Sequence, residues 1–295
     1  MNWEFLRSDE MASAIEKSGG LCVMPLGCTE KHGEHMPLGT DSLQVKHHVE
    51  LAAELEDVVI FPTGMWLGDM VPLQSRNAPE TVAKCHGGIA LSPHTLLTVM
   101  EELCDEIARN GFRKILIVNC HGGNLPFLNF FLRAQASKKK NYATMVVQDA
   151  KEVVNKADVA YDYFKEHRAD YPMLTDSDIE VLKSFAEQDG SWGGGHANFM
   201  ETAFIMGEYP ELIATERYEL VSGLSTHRTD YLTDLGVACT GSYDANFPNV
   251  ISGYPSTGCT ETIGQAFNLF CARRLARIFK VLKEDEECVK IAKGE

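Results

Sequence analysis

Four short apolar runs constrain this chain more than any other feature. They are Leu21-Cys22-Val23-Met24-Pro25-Leu26, Val58-Val59-Ile60-Phe61, Ile115-Leu116-Ile117-Val118 and Thr144-Met145-Val146-Val147, each bounded by Gly, Pro, Asn or Asp. Unbroken apolarity over so few residues is the mark of a strand covered on both faces. Helical periodicity fills the intervals at roughly 42–55, 94–110 and 125–139, and the second of these stops at Asn110-Gly111, a C-cap signal. Strand and helix in alternation predict an α/β fold with a mostly parallel central sheet and helices on both faces. A further amphipathic stretch, Thr262 to Lys283, predicts a long C-terminal helix closing one layer. Between 151 and 260 the periodicity weakens into Gly-, Tyr- and Asp-rich sequence. This region is expected to supply active-site loops and a covering segment to a single domain spanning 1–295.

Charge narrows the range of partners. The chain carries 27 Lys+Arg and 42 Asp+Glu, a net charge of −15. Nucleic acid and anionic membrane surfaces select clustered basic residues, so neither is an expected partner. The 9 cysteines include no C-x-x-C pair, and many sit inside apolar runs, so they are read as reduced, buried small hydrophobes of a cytoplasmic protein. The N-terminal residues lack the apolar region of a signal peptide, and no segment approaches the roughly 20 apolar residues of a membrane span.

Ligand-type side chains concentrate at strand ends. The segment Cys28 to Asp41 follows the first apolar run directly and holds Glu30, His32, Glu34, His35 and Asp41. In parallel α/β sheets the crevice lies beyond the carboxyl ends of the strands, so a site is expected here. Glu30 and His32 fall on one face of an extended segment, and Gly33, Pro37 and Gly39 permit the turns that return Asp41 to them. Imidazole beside carboxylates suits zinc, manganese or iron better than calcium; a merely solvated polar loop is the alternative. The third run leads straight into His121-Gly122-Gly123-Asn124 on the same sheet edge. That segment reads as a ligand loop, a tight turn or, lacking the P-loop lysine, a poor phosphate cradle. A third cluster, Trp192-Gly193-Gly194-Gly195-His196 followed by Glu201, reads either as a close approach to substrate or as a glycine hinge before a helix.

The three clusters together resemble the creatininase family. The matching segments are Glu30-Lys31-His32-Gly33-Glu34-His35-Met36-Pro37-Leu38-Gly39-Thr40-Asp41, Asn119-Cys120-His121-Gly122-Gly123-Asn124 and His196-Ala197-Asn198-Phe199-Met200-Glu201-Thr202. Leu91-Ser92-Pro93 before a helix is similar too, and the resemblance covers roughly residues 20 to 205. It implies a three-layer α/β/α sandwich, a homo-oligomer such as a hexamer, and two divalent metal ions, Zn²⁺ with Mn²⁺ or Fe²⁺ in one site. On this reading Glu30 and His121 hold one metal, His32 and Glu201 the other, and Asp41 bridges both. Trp192 and His196 match positions that approach substrate. Two departures stand out. Gly123 occupies a position where creatininase proper has Glu, so Glu201 is expected to take over as ligand, and His86-Gly87-Gly88 replaces a Pro-Gly-Thr segment, which makes His86 a candidate substrate contact.

The chemistry this implies is metal-assisted hydrolysis of a small-molecule substrate. His196 is the expected proton donor, Glu201 a second catalytic acid, and the Gly122 and Gly123 N–H groups are expected to steady an oxyanion. Members of the family act on cyclic amides, on formamides of pyrimidine nucleotides, on a peptide precursor and on a cyclic keto-inositol. With no Arg/Lys phosphate clamp in the motifs, a neutral ring is favoured, most of all one opened at a cyclic amide C–N bond. Ring opening of a keto-inositol, or isomerase or lyase chemistry on a polyol ketone, is the alternative.

Overall fold

The computed structural model describes residues 1–62, 87–89, 91–149, 152–239 and 241–295. Its sheet has four parallel strands, β1 (Leu21–Leu26), β2 (Val59–Ile60), β3 (Lys114–Asn119) and β4 (Ala143–Gln148), in the order β2-β1-β3-β4. β1 and β3 run in full register from Leu21 beside Lys114 to Leu26 beside Asn119. Their carboxyl ends therefore stop side by side, and the segments that follow both start from one edge.

Residues alternate across the sheet, as a period of two dictates. Cys22, Met24, Leu26, Ile115 and Ile117 face one layer, formed by α1 (Met11–Lys17), α3 (Pro93–Arg109) and α4 (Asn124–Ala136). Leu21, Val23, Leu116 and Val118 face the other, formed by α2 (Thr40–Leu55) and α10 (Glu261–Glu284). The expected α/β/α sandwich is present. Local chemistry fixes the helix starts: Ser92 caps α3 by accepting from Thr95 N–H ahead of Pro93, and Thr260 does the same for α10 through Ile263 N–H.

The loop-rich reading of 151–260 needs correction over its first half. α5 (Ala157–Glu166), α6 (Asp176–Gln188) and α7 (Phe199–Met206) pack Phe164, Leu182, Phe199 and Phe204 against Phe267 and Phe270 of α10. That cluster is a substantial apolar core, joined through α10 to the sheet. From 207 to 260 the chain is mostly irregular, with short helices α8 (Asp230–Asp234) and α9 (Ser242–Asn246), and α11 (Glu287–Lys293) ends it. Among the described residues no helix is long and apolar enough to cross a membrane.

Candidate metal centre

Three backbone devices bring the ligand-type residues together. The first is Gly27, directly after β1. A Cβ there would lie 2.4 Å from Ser42 N and 2.6 Å from the Asp41 carbonyl carbon, so only glycine lets the start of α2 press against the end of β1. The second is closure of the intervening loop by Glu30 N–H donating to Leu38 O at 3.0 Å. The third is the turn after β3. Asn119 Nδ2 donates to His121 O at 2.7 Å, and Asn124 Nδ2 reaches Asn119 Oδ1 at 2.9 Å and Gly27 O at 3.2 Å. The His121 loop is thereby tied to the β1 end.

The result is a buried cluster centred on Asp41, in the first turn of α2, where the helix dipole favours a carboxylate. Its Oδ2 lies 3.0 Å from His121 Nδ1, and its Oδ1 lies 3.2 Å from His32 Nε2. Glu30 Oε1 is also 3.0 Å from His121 Nδ1, while Glu201 Oε2 is 3.8 Å from His32 Nε2. Two donor sets share Asp41, namely Cys28, Glu30, Asp41 and His121 on one side and His32, Asp41 and Glu201 on the other; Glu30, His32 and His196 form a third, and ligand atoms in each lie within 4.8 Å of one another. Two ligands bonded to one zinc at ~2.1 Å stand roughly 3.0–3.4 Å apart, so several of the spacings match the edge of a coordination shell.

Charge points the same way. A cavity of about 480 Å³ opens over the cluster, and its lining includes the carboxylates of Glu30, Asp41, Glu201 and Asp244, with no Lys or Arg among the described lining residues. Four buried or half-buried carboxylates facing one space call for cations. Burial works against charge on Glu30, but His196 and His121 outweigh it and hold the carboxyl at about 2. Burial likewise lowers His32, yet Asp41 and Glu201 overcome it and raise the imidazole to about 9. Asp41 is held well below its ordinary range by His32 and His121 despite its burial, whereas burial pushes Glu201 up.

Cys28 belongs to this cluster and is more than a buried hydrophobe. Its Sγ donates to Asp41 Oδ2 at 3.0 Å, and burial together with Asp41 and Glu30 pushes the thiol well above its ordinary pKa. Its place at the head of the ligand-rich segment Cys28 to Asp41, outside the apolar run, is the sequence signal that sets it apart from the other cysteines.

His196 and Glu201 arrive from the far side. His196 pairs with Ser252 in an isolated antiparallel bridge, N–H to O at 3.2 Å and O to N–H at 2.8 Å. Its Nε2 lies 2.9 Å from Lys31 O. A carbonyl only accepts, so Nε2 is the donor in this pair, and Nδ1 faces Glu30 Oε1, 3.7 Å away. Its ring stacks obliquely on His32, centroids 4.3 Å apart. Asn198 caps α7 by accepting from Glu201 N–H at 3.0 Å, and Glu201 Oε2 accepts from Ala197 N–H at 2.6 Å, which aims the carboxylate at His32.

Glu30, Asp41, His121, Gly122, Gly123, His196 and Glu201 line the cavity, and His32 stands behind it. Trp192 does not line it, contrary to expectation. Its indole is buried at 1% exposure, stacked on Phe199 at 5.0 Å, with Nε1 donating to Val154 O at 2.8 Å. It anchors the glycine run from below instead of touching substrate. His86 lies outside the described residues. From the Tyr-rich stretch between 151 and 260, Tyr243 reaches the cavity, edge-on to His196 at 6.2 Å, along with Ser242, Asp244 and Ser252.

The family model for creatininase (creatinine amidohydrolase) matches residues 4–279. The creatinine amidohydrolase of Pseudomonas putida is 26% identical over 203 residues, 68% of this chain and 69% of that one. The mycofactocin precursor peptide peptidase of Mycobacterium tuberculosis strain H37Rv is 31% identical over 120 residues, covering 40% of this chain and 46% of its own. A crystal structure of creatinine amidohydrolase superposes with a TM-score of 0.68 at 17% identity, covering 96% of this chain and 98% of that one, which establishes the shared fold. Solved creatininases include a Zn–Zn form and a manganese form, with TM-scores of 0.63 and 0.65, at 17% and 16% identity, covering 96% of this chain and 98% and 99% of theirs. The chain is a hydrolase, and it belongs to the creatininase family.

Proposed function

We propose that this protein hydrolyses an amide C–N bond, opening a cyclic amide in a small neutral substrate. The observation that carries the reading is Asp41, which offers one oxygen to the His121 set and the other to the His32 set at the floor of a single cavity. Glu30, Asp41 and His121 would hold one divalent ion and His32, Asp41 and Glu201 a second, and this imidazole and carboxylate chemistry suits zinc or manganese. When bound, such a pair lowers the pKa of water and polarises a carbonyl.

The chain's own groups do the rest. His196, which lines the cavity with Nδ1 toward Glu30, takes a proton from the attacking water and passes it to the departing amide nitrogen. One C–O bond forms, one C–N bond breaks, and the ring opens to a carboxylate and an amine. The start of α4, at Gly122 and Gly123, places a partial positive charge beside the carbonyl oxygen. Tyr243, in α9, lines the cavity beside His196 and offers the ring an aromatic wall. The described lining offers four carboxylates and no Lys or Arg to pair with a phosphate, which favours an uncharged substrate over a phosphorylated one. As a family member it is expected to act as a homo-oligomer.

Turnover of cyclic amides by the metal-reconstituted protein in ¹⁸O-labelled water tests this. A product heavier than the substrate by one labelled water, with the label in a new carboxylate, is the expected result. An unlabelled product of unchanged mass would instead indicate an isomerase.

A further inference from the structure

A second cavity, of about 280 Å³, adjoins the first at the carboxyl ends of β3 and β4. Asn119, Gln148, Asp149, Asn155, Asn198 and Gln44 line it, and none of the described lining residues is a Lys or Arg. The two cavities share Gly122, Gly195 and Glu201. A Cβ at Gly122 or at Gly195 would meet no atom within 4 Å, so neither glycine is there to admit neighbouring protein. Both leave open space on the wall that the two cavities share.

The second cavity's wall is built for hydrogen bonds more than for charge. Asp149 Oδ2 is taken by His48 Nδ1 at 2.6 Å and by Gln44 Nε2 at 3.0 Å. Asp149 Oδ1 and Gln44 Oε1 are buried and accept from no protein donor, although both residues are at most 3% exposed. Gln148 Oε1 accepts from Asn119 Nδ2 at 2.6 Å, and Asn155 lies exposed at the rim. Idle buried acceptors are costly unless a ligand or water supplies donors.

We propose that this cavity is a second substrate subsite, which takes a neutral tail rich in hydrogen-bond donors, hydroxyls or amide N–H groups. The tail reaches it past Gly122 and Gly195 while the scissile amide lies over Asp41. The placement of the scissile end rests on the hydrolase reading; binding of the tail does not. The substrate is therefore longer than a bare ring.

Binding to the metal-depleted protein tests the subsite without turnover. Sorbitol supplies the hydroxyl arm and N-acetylglycinamide the amide arm, each at up to about 100 mM, above the millimolar Kd typical of fragments. Soaked crystals should show one or both beside Asn155, Gln148 and Asp149, and the arm that binds identifies the tail. Asn155→Leu should weaken binding about tenfold, with its melting temperature as the folding control, and Gly195→Val should do so independently by closing the passage. Absence of both probes from this cavity, or unchanged affinity in Asn155→Leu, overturns the proposal. Failure to hydrolyse cyclic amides would leave these binding results readable.

Discussion

The thiol of Cys28 donates to the carboxylate of Asp41 across 3.0 Å, linking the residue just beyond β1 to the first turn of α2. Asp41 already faces two imidazoles, and Cys28 fixes the carboxylate's rotation between them. Partners that orient a ligand in this way typically contribute 10–100-fold to metal affinity. Cys28→Ala should weaken metal binding by about that factor, measured by competition with a chromogenic chelator, and Cys28→Ser should recover most of it. Equal affinity in all three proteins would reduce Cys28 to a packing residue.

The two donor sets are separable. Glu201 belongs to the His32 set alone, so Glu201→Gln should retain about one metal equivalent while Asp41→Ala retains none. Elemental analysis after dialysis reads both. Two equivalents in Glu201→Gln would remove Glu201 from the coordination shell and leave it to its hydrogen bond with Ala197 N–H.

His196 is placed to move protons. His196→Gln should lower kcat by about 10²–10⁴ with metal content unchanged. A fall in metal content would instead put His196 with Glu30 and His32, whose ligand atoms are also within reach of its own.

His35, in the same loop, has a structural task. Its Nε2 lies 3.0 Å from Thr202 Oγ1, its ring meets Tyr218 edge-on at 5.4 Å, and its Nδ1 is buried without a hydrogen-bond partner. Burial, aided by His32, lowers its pKa to about 4, against about 6.5 in an unfolded chain. The folded state thus binds fewer protons than the unfolded state. The stabilisation from neutral His35 is complete above pH ~6.5 and is lost as pH falls toward about 4, by roughly 3 kcal/mol at most. Chemical denaturation at pH 7 and pH 4.5 should show His35→Leu losing less stability between the two than the parent does. An identical loss in both proteins would assign acid sensitivity to other groups.

Much of the fold was legible because its strands are covered on both faces. β1 and β3 were readable as uninterrupted apolar runs, and Glu30, His32 and His121 as polar residues placed just past them. Asp41 was harder to place, since its return to the site depends on Gly27 meeting Ser42, a contact between segments that periodicity does not report. Helices α5 and α6 escaped notice beneath Tyr- and Asp-rich sequence, although Thr175 and Asp178 form a capping box that announces α6. Trp192 was misassigned because a Trp before a glycine run reads alike whether its ring faces a cavity or the core. Tyr243 is one of several tyrosines between 151 and 260, and nothing in its local sequence singles it out as the one whose ring meets His196.

The paired metal site is tested most directly by anomalous diffraction from crystals of the metal-reconstituted protein, collected at the zinc and manganese edges. Two peaks flanking Asp41, one near Glu30 and His121 and the other near His32 and Glu201, are the predicted result. A single peak, or peaks that leave Asp41 uncoordinated, would contradict it.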